Sequence, residues 1–170
     1  MLATRQAVLL QGPAVRLVHG LKYEGWAALA RPMGDRMARV RLPEPPDSPP
    51  RRVIVPVPTT RERVRRRGYN QAELLADEVG RRLRVVVRDA LERSRSGASQ
   101  TALRPDERVE NVRGVFHCAR PAWVDGAEVI LVDDVLTTGA TAAEAARTLH
   151  TAGAARVILL AFARAVPDAV

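Results

Sequence analysis

Cysteine is almost missing from this sequence. The single Cys118 excludes a disulfide within the chain and a zinc site built on cysteines. In VFHCAR it reads as a small, buried or half-buried strand residue. Histidine is also scarce. His19, His117 and His150 lie far apart and HExxH does not occur, which argues against a zinc hydrolase. Aromatic residues make up 4%, so no stacking platform for single-stranded nucleic acid is evident. No apolar run approaches the ~18 residues that a membrane span needs. The opening stretch MLATRQAVLLQGPAV has too short an apolar run for a signal peptide, so a cytosolic protein without membrane insertion is expected. Neither GxGxxG nor GK[ST] is present, which removes the Rossmann turn and the P-loop.

What remains is a basic α/β pattern. The 170 residues suit a domain with a real core, and 46% are hydrophobic. Net charge is +8, carried almost wholly by arginine, with Lys22 the one lysine. Such a balance favours polyanionic partners, either nucleic acid or small phosphorylated molecules.

The first forty residues read as helical. Val15, Leu17, Val18 and Leu21 make an apolar stripe, and a second helix is expected from about Trp26 to Val40. Residues 1–42 are therefore read as a helical hood, and the proline-rich stretch 43–50 as a linker. The body, 51–170, alternates. Strands are expected at Val53–Val57, near Arg84–Val87 with an extension as far as Leu91, and at Val115–Cys118, Ala127–Val132 and Val157–Ala163. Helices are expected at Gly68–Leu83, where Leu74, Leu75, Val79 and Leu83 share a face, and at Thr141–Gly153. Ser94–Thr101 reads as a polar loop and RPDERVENV as a short helix. This order predicts an α/β fold with a mostly parallel sheet. Ligands of such sheets bind beyond the carboxyl ends of the strands, so the loops after Val57, Leu91 and Val132 should converge.

The stretch VILVDDVLTTGAT, Val129–Thr141, is the most informative. It follows a strand and opens a helix whose first amides lack internal partners. Gly139 and Ala140 admit a bound group close to the backbone, and Thr137, Thr138 and Thr141 offer hydroxyls. These are the parts of a phosphate cradle. Asp133 and Asp134 would repel a phosphate unless ribose hydroxyls or Mg²⁺ stood between them. A ribose 5-phosphate satisfies both halves; a plain helix cap is the alternative.

These residues resemble the 5-phosphoribosyl-1-pyrophosphate (PRPP) motif of type I phosphoribosyltransferases. More closely, the chain resembles the ComF/GntX family of phosphoribosyltransferase-like proteins from about Arg16 to Arg164. LKYEG at Leu21–Gly25, VPVPTTRERVRRRGYNQAELLA at Val55–Ala76, and ERSRSGASQTALRPDERVENVRGVF at Glu92–Phe116 carry the likeness beside DDVLTTGAT. The resemblance implies a type I phosphoribosyltransferase-like fold: a mostly parallel twisted sheet flanked by helices, with a small N-terminal helical hood. It implies that Asp133 and Asp134 hold the ribose hydroxyls, directly or through Mg²⁺, and that Thr137, Thr138, Gly139, Ala140 and Thr141 hold the 5-phosphate. Pro58, Thr59 and Thr60 would form the pyrophosphate loop, with Arg67 on a phosphate. Arg93, Gln100 and Arg108 would belong to a flexible loop that closes over PRPP.

Other residues admit two readings. Asn70 is a cap or backbone-fixing residue, or else a ligand contact. Asn111 stitches the loop to the sheet, and Trp26 and Trp123 read as packing residues. Many ComF-like proteins carry a four-cysteine zinc finger before LKY; those cysteines are missing here, so no zinc is expected. Three functions follow from the resemblance. One is a Mg²⁺-dependent phosphoribosyltransferase with an unnamed acceptor. The second is a competence factor acting on single-stranded DNA with a DNA-uptake helicase. The third is a PRPP sensor without turnover. A homo-oligomer is compatible with each.

Overall fold

Three apolar strands form the centre of the fold. They are β2 (Arg52–Pro56), β5 (Glu128–Leu136) and β6 (Arg156–Arg164). Their near-continuous valine, isoleucine and leucine content is that of parallel strands covered on both faces. In the computed structural model, which describes residues 2–44, 51–93 and 114–166, a further strand β1 (Ala3–Leu9) completes a parallel sheet in the order β1-β6-β5-β2. Registers such as Val53↔Val129 and Ile130↔Ile158 align the strands directly. A short antiparallel pair, β3 (Leu91–Arg93) and β4 (Phe116–Cys118), stands apart.

Helices cover both faces. Alternation along the strands sends Val53, Val129, Leu131, Val157 and Leu159 toward α5 (Ala140–Thr151), whose Ala142, Ala145, Ala146 and Leu149 meet them. Ile54, Ile130, Val132, Leu160 and Phe162 face the other way. There they meet Val18 and Leu21 of α1 (Pro13–Tyr23), Met33 and Met37 of α2 (Ala30–Ala38), and Leu75, Ala76 and Val79 of α4 (Gln71–Leu83). A short helix α3 (Arg61–Arg67), none of it buried, precedes α4. Helices α2 and α4 approach closely at Gly34, where an added Cβ would lie 2.5 Å from Glu78 Cβ.

Three charges lie in register at the amino ends of the central strands. Glu128 pairs across the ladder with Arg52 on one side and Arg156 on the other. Its carboxylate, 1% exposed, accepts from Arg52 Nε at 2.6 Å and Arg156 Nη1 at 3.0 Å. This cluster closes the end of the sheet opposite the loops discussed below.

Several sequence expectations are corrected. Ala3–Leu9 are not helical but form an edge strand that leans on the exposed ladder of β6. Arg84–Val87 is not a full strand. Arg84 caps α4 with φ 56°, and only Ile54↔Val87 bridges to the sheet. Strand β5 runs four residues past Val132, so both aspartates belong to the strand itself. Trp26 rests on Gly20, yet 57% of it is exposed. Trp123 is half-buried, with the guanidinium groups of Arg88 and Arg120 packed over its ring. Gln100, Arg108 and Asn111, and the loop and helix expected around them, lie outside the described residues.

Candidate functional site

The parallel sheet places the carboxyl ends of β2 and β5 side by side, with Val57 N–H donating to Val132 O at 2.9 Å. The segment after β2 and the turn after β5 therefore share one edge, as the topology requires. Beyond Leu136 the chain turns through exposed Thr137 and Thr138, and Gly139 takes φ 82° as the N-cap of α5. That left-handed φ is easy for glycine and strained for other residues. Ala140 N–H lies 3.4 Å from Thr138 Oγ1, and Thr141 is half-buried. The N-cap Gly139 has no side chain to cap α5, and the first turn carries no acidic residue. The helix thus presents its partial positive charge outward, where an anion gains ~0.3–1 kcal/mol.

The two aspartates differ in setting. Asp134 is 3% exposed, and its Oδ2 lies 3.0 Å from Lys22 Nζ of α1. Asp133 is only half-buried, and its Oδ1 accepts the Asp134 backbone N–H at 2.8 Å. Burial and then the neighbouring Asp134 charge push the Asp133 carboxyl up to about 8 from 3.8; the backbone N–H and Lys22 oppose this. The pair offers carboxyl oxygens beside an anion-favouring helix start, a combination that suits a ligand with both hydroxyls and phosphate.

A second segment frames this edge. Thr60 caps α3, its Oγ1 accepting from Arg63 N–H at 3.3 Å. Gly68 closes α3 in the left-handed conformation. Arg67 turns toward α1, its guanidinium 5.2 Å from the centre of the Tyr23 ring and its Nη1 donating to Gln71 at 2.9 Å. Tyr69 donates its hydroxyl to Leu21 O at 2.6 Å. Asn70, 2% exposed, caps α4 through Ala72 N–H and donates Nδ2 to Val57 O at 3.1 Å. Of the two readings of Asn70, the structure gives the cap and backbone fixer.

The expected site residues therefore distribute as follows. Asp133, Asp134 and Thr137–Thr141 are contiguous from the strand end to the helix start. Pro58, Thr59 and Thr60, all half-buried, follow β2 on the same edge. Arg67 lies against α1; Arg93, expected in the flexible loop, instead ends strand β3 in register with Phe116 and lies 5.5 Å from its ring centre. Sequence reasoning missed Lys22 and Tyr69 as members of this neighbourhood. A signal existed for Lys22, since it is the single lysine among 27 basic residues.

The donor set does not fit a resident magnesium ion. Mg²⁺ asks for about six oxygen ligands in near-octahedral order. Here Asp134 carries the Lys22 ammonium, Asp133 Oδ1 carries a backbone N–H, and no group of three His, Cys, Asp or Glu comes together among the described residues.

A family model described as "Phosphoribosyl transferase domain" matches residues 64–167, a stretch that contains both aspartates and the turn after them. The chain belongs to this family. It is 36% identical over 150 residues to "DNA utilization protein YhgH" of Escherichia coli (strain K12), a span that covers 85% of this chain and 64% of that one. It is 33% identical over 132 residues to "Competence protein F" of Haemophilus influenzae, covering 76% and 54%. The chain thus spans 64% and 54% of the lengths of these two curated relatives. Among solved structures, the glutamine PRPP amidotransferase of B. subtilis, complexed with ADP and GMP, superposes with a TM-score of 0.52 at 18% identity, over 79% of this chain and 26% of that one. That likeness bears out the type I phosphoribosyltransferase-like fold expected from the sequence. The ComF-type kinship is borne out by the relatives. No helix among the described residues is long and apolar enough to cross a membrane.

Proposed function

We propose that this phosphoribosyl transferase family member binds PRPP and transfers its phosphoribosyl group to an acceptor, releasing pyrophosphate. One observation carries the reading: β5 delivers Asp133 and Asp134 to the edge where α5 begins, with three threonines and a glycine between or beside them. Amides and hydroxyls of Thr137–Thr141 hold the 5-phosphate. The aspartates accept hydrogen bonds from the ribose hydroxyls and stabilise positive charge that develops at C1 as pyrophosphate departs. Pro58–Thr60 line the pyrophosphate, and Arg67, Arg93, Gln100 and Arg108 supply cationic or amide donors around it. Magnesium enters as part of the substrate, bound to pyrophosphate, where it neutralises the charge of the leaving group. Asp133 meets it through water at most.

The test is calorimetric titration with PRPP, with and without Mg²⁺, of the parent and of Asp133→Asn/Asp134→Asn. Magnesium-dependent binding that the double variant loses supports the reading; equal binding by both overturns it. Turnover is then assayed as pyrophosphate release against a panel of bases and amines.

A second reading is favoured by α3, where Arg61, Arg63, Arg65 and Arg66 are all exposed beside half-buried Arg67. In this reading the protein is a competence factor that contacts single-stranded DNA or a DNA-uptake helicase. DNA affinity would then fall steeply with salt, survive Asp133→Asn, and drop on neutralising these arginines.

A further inference from the structure

Lys22 is the penultimate residue of α1 and turns inward. Surface lysines ordinarily keep the ammonium in water. Here the side chain is 21% exposed and its ammonium sits 3.0 Å from a carboxylate that is 4% exposed. A buried ion pair contributes little to stability beyond what apolar packing of the same volume would give. Its position is therefore more informative than its strength. It stands at the carboxyl end of β5, one residue from Asp133 and three from the threonine turn.

The residues flanking Lys22 are fixed on both sides. Leu21 O accepts from the Tyr69 hydroxyl, and the Tyr23 ring lies against Arg67. Arg67, Tyr69 and Asn70 form one stretch, and Asn70 also holds Val57 O at the head of the loop after β2. The same short segment thus sets the place of Lys22 and of the neighbouring loop. The buried Asp134 carboxylate would repel a phosphorylated ligand, and Lys22 offsets its charge. An ammonium has three N–H donors. Asp134 is its one ion-pair partner among the described residues, and the remaining solvent-facing surface leaves donors available to a ligand.

We propose that Lys22 is a binding residue of the phosphorylated-sugar site, holding the Asp134 carboxylate in place and donating to the anionic groups of the ligand. This rests on the PRPP reading above. It makes the LKY and RGYNQ stretches a single device, and makes α1 a wall of the site.

The test titrates PRPP with Mg²⁺ into the parent, Lys22→Met and Lys22→Arg, each checked for folding by circular dichroism. Losing a charged hydrogen bond should weaken Lys22→Met by about tenfold or more, while Lys22→Arg should stay within about threefold of the parent. Because Lys22 is the one lysine, ¹⁵N-lysine labelling gives a single side-chain ammonium signal. That signal should shift on adding PRPP and, without ligand, on Asp134→Asn. If Lys22→Met does not fold, Lys22→Arg and the labelled parent still decide the matter. A parent that binds PRPP while Lys22→Met binds equally well, or while the ammonium signal stays put, overturns this proposal alone. A parent that binds no PRPP overturns the site reading and this proposal with it.

Discussion

Asn70→Ala is the sharpest probe of how the site is held. Asn70 is 2% exposed and does two jobs. Its Oδ1 accepts Ala72 N–H at 3.2 Å, which satisfies one of the free amides of α4. Losing such a cap costs about 0.5–2 kcal/mol. Its Nδ2 donates to Val57 O at 3.1 Å, and Val57 is 5% exposed. Leaving a buried carbonyl without that donor costs about 1–3 kcal/mol. Since the two losses share one side chain, full addition is not expected, and the sum falls at about 2–4 kcal/mol. That is a large part of the ~5–15 kcal/mol that holds a typical domain folded. Asn70→Ser keeps a capping oxygen and loses the reach to Val57, so it should fall between parent and alanine. Urea unfolding followed by far-ultraviolet circular dichroism measures all three, with equal slopes required for comparison. An Asn70→Ala midpoint equivalent to less than about 0.5 kcal/mol of change, the range of ordinary surface substitutions, would refute the reasoning.

Three further outcomes are expected. Glu128→Ala strands Arg52 and Arg156 at the far end of the sheet and should cost about 3–5 kcal/mol in urea unfolding, with PRPP affinity of the folded protein unchanged. Gly34→Ala drives a methyl to within 2.5 Å of Glu78 Cβ and should cost about 1–3 kcal/mol by separating α2 from α4; an unchanged melting temperature would contradict that packing. Asp133 gives a pH signature. Because burial and Asp134 raise its folded carboxyl to about 8 from 3.8, the folded state keeps a proton that the unfolded chain releases. Stability should therefore fall as pH rises between those two values, and Asp133→Asn should be more stable than the parent at high pH, with the gain vanishing toward about pH 4.

The central strands and α5 were legible because local and tertiary preferences agree there. VILV is apolar on both faces, and the alanines of α5 let it lie close to the sheet. α4 was legible from Leu75 and Val79, but its expected start at Gly68 is instead the left-handed end of α3, a helix the arginine run did not announce, and α4 begins after its cap Asn70. Strand β1 was hidden. ATRQAVL shows no clean alternation and is only half-buried, so its conformation is imposed by the free edge of β6. The aspartates hid the true end of β5 for a similar reason. Charged residues suggest a turn, yet the ladder to β6 continues to Leu136↔Arg164 while Lys22 compensates Asp134. That compensation joins residues 112 positions apart, beyond the reach of any periodicity. Trp26 was expected to pack, and an exposed ring resting on Gly20 leaves no imprint on spacing.

Amide hydrogen exchange, read residue by residue with and without saturating PRPP and Mg²⁺, tests the central claim most directly. The first amides of α5 have no intrahelical partner. If the turn after β5 cradles the 5-phosphate, exchange should slow at Thr137 through Ala142, and Asp133→Asn/Asp134→Asn should abolish the slowing. Bound PRPP that leaves those amides exchanging at their free rates would contradict the account.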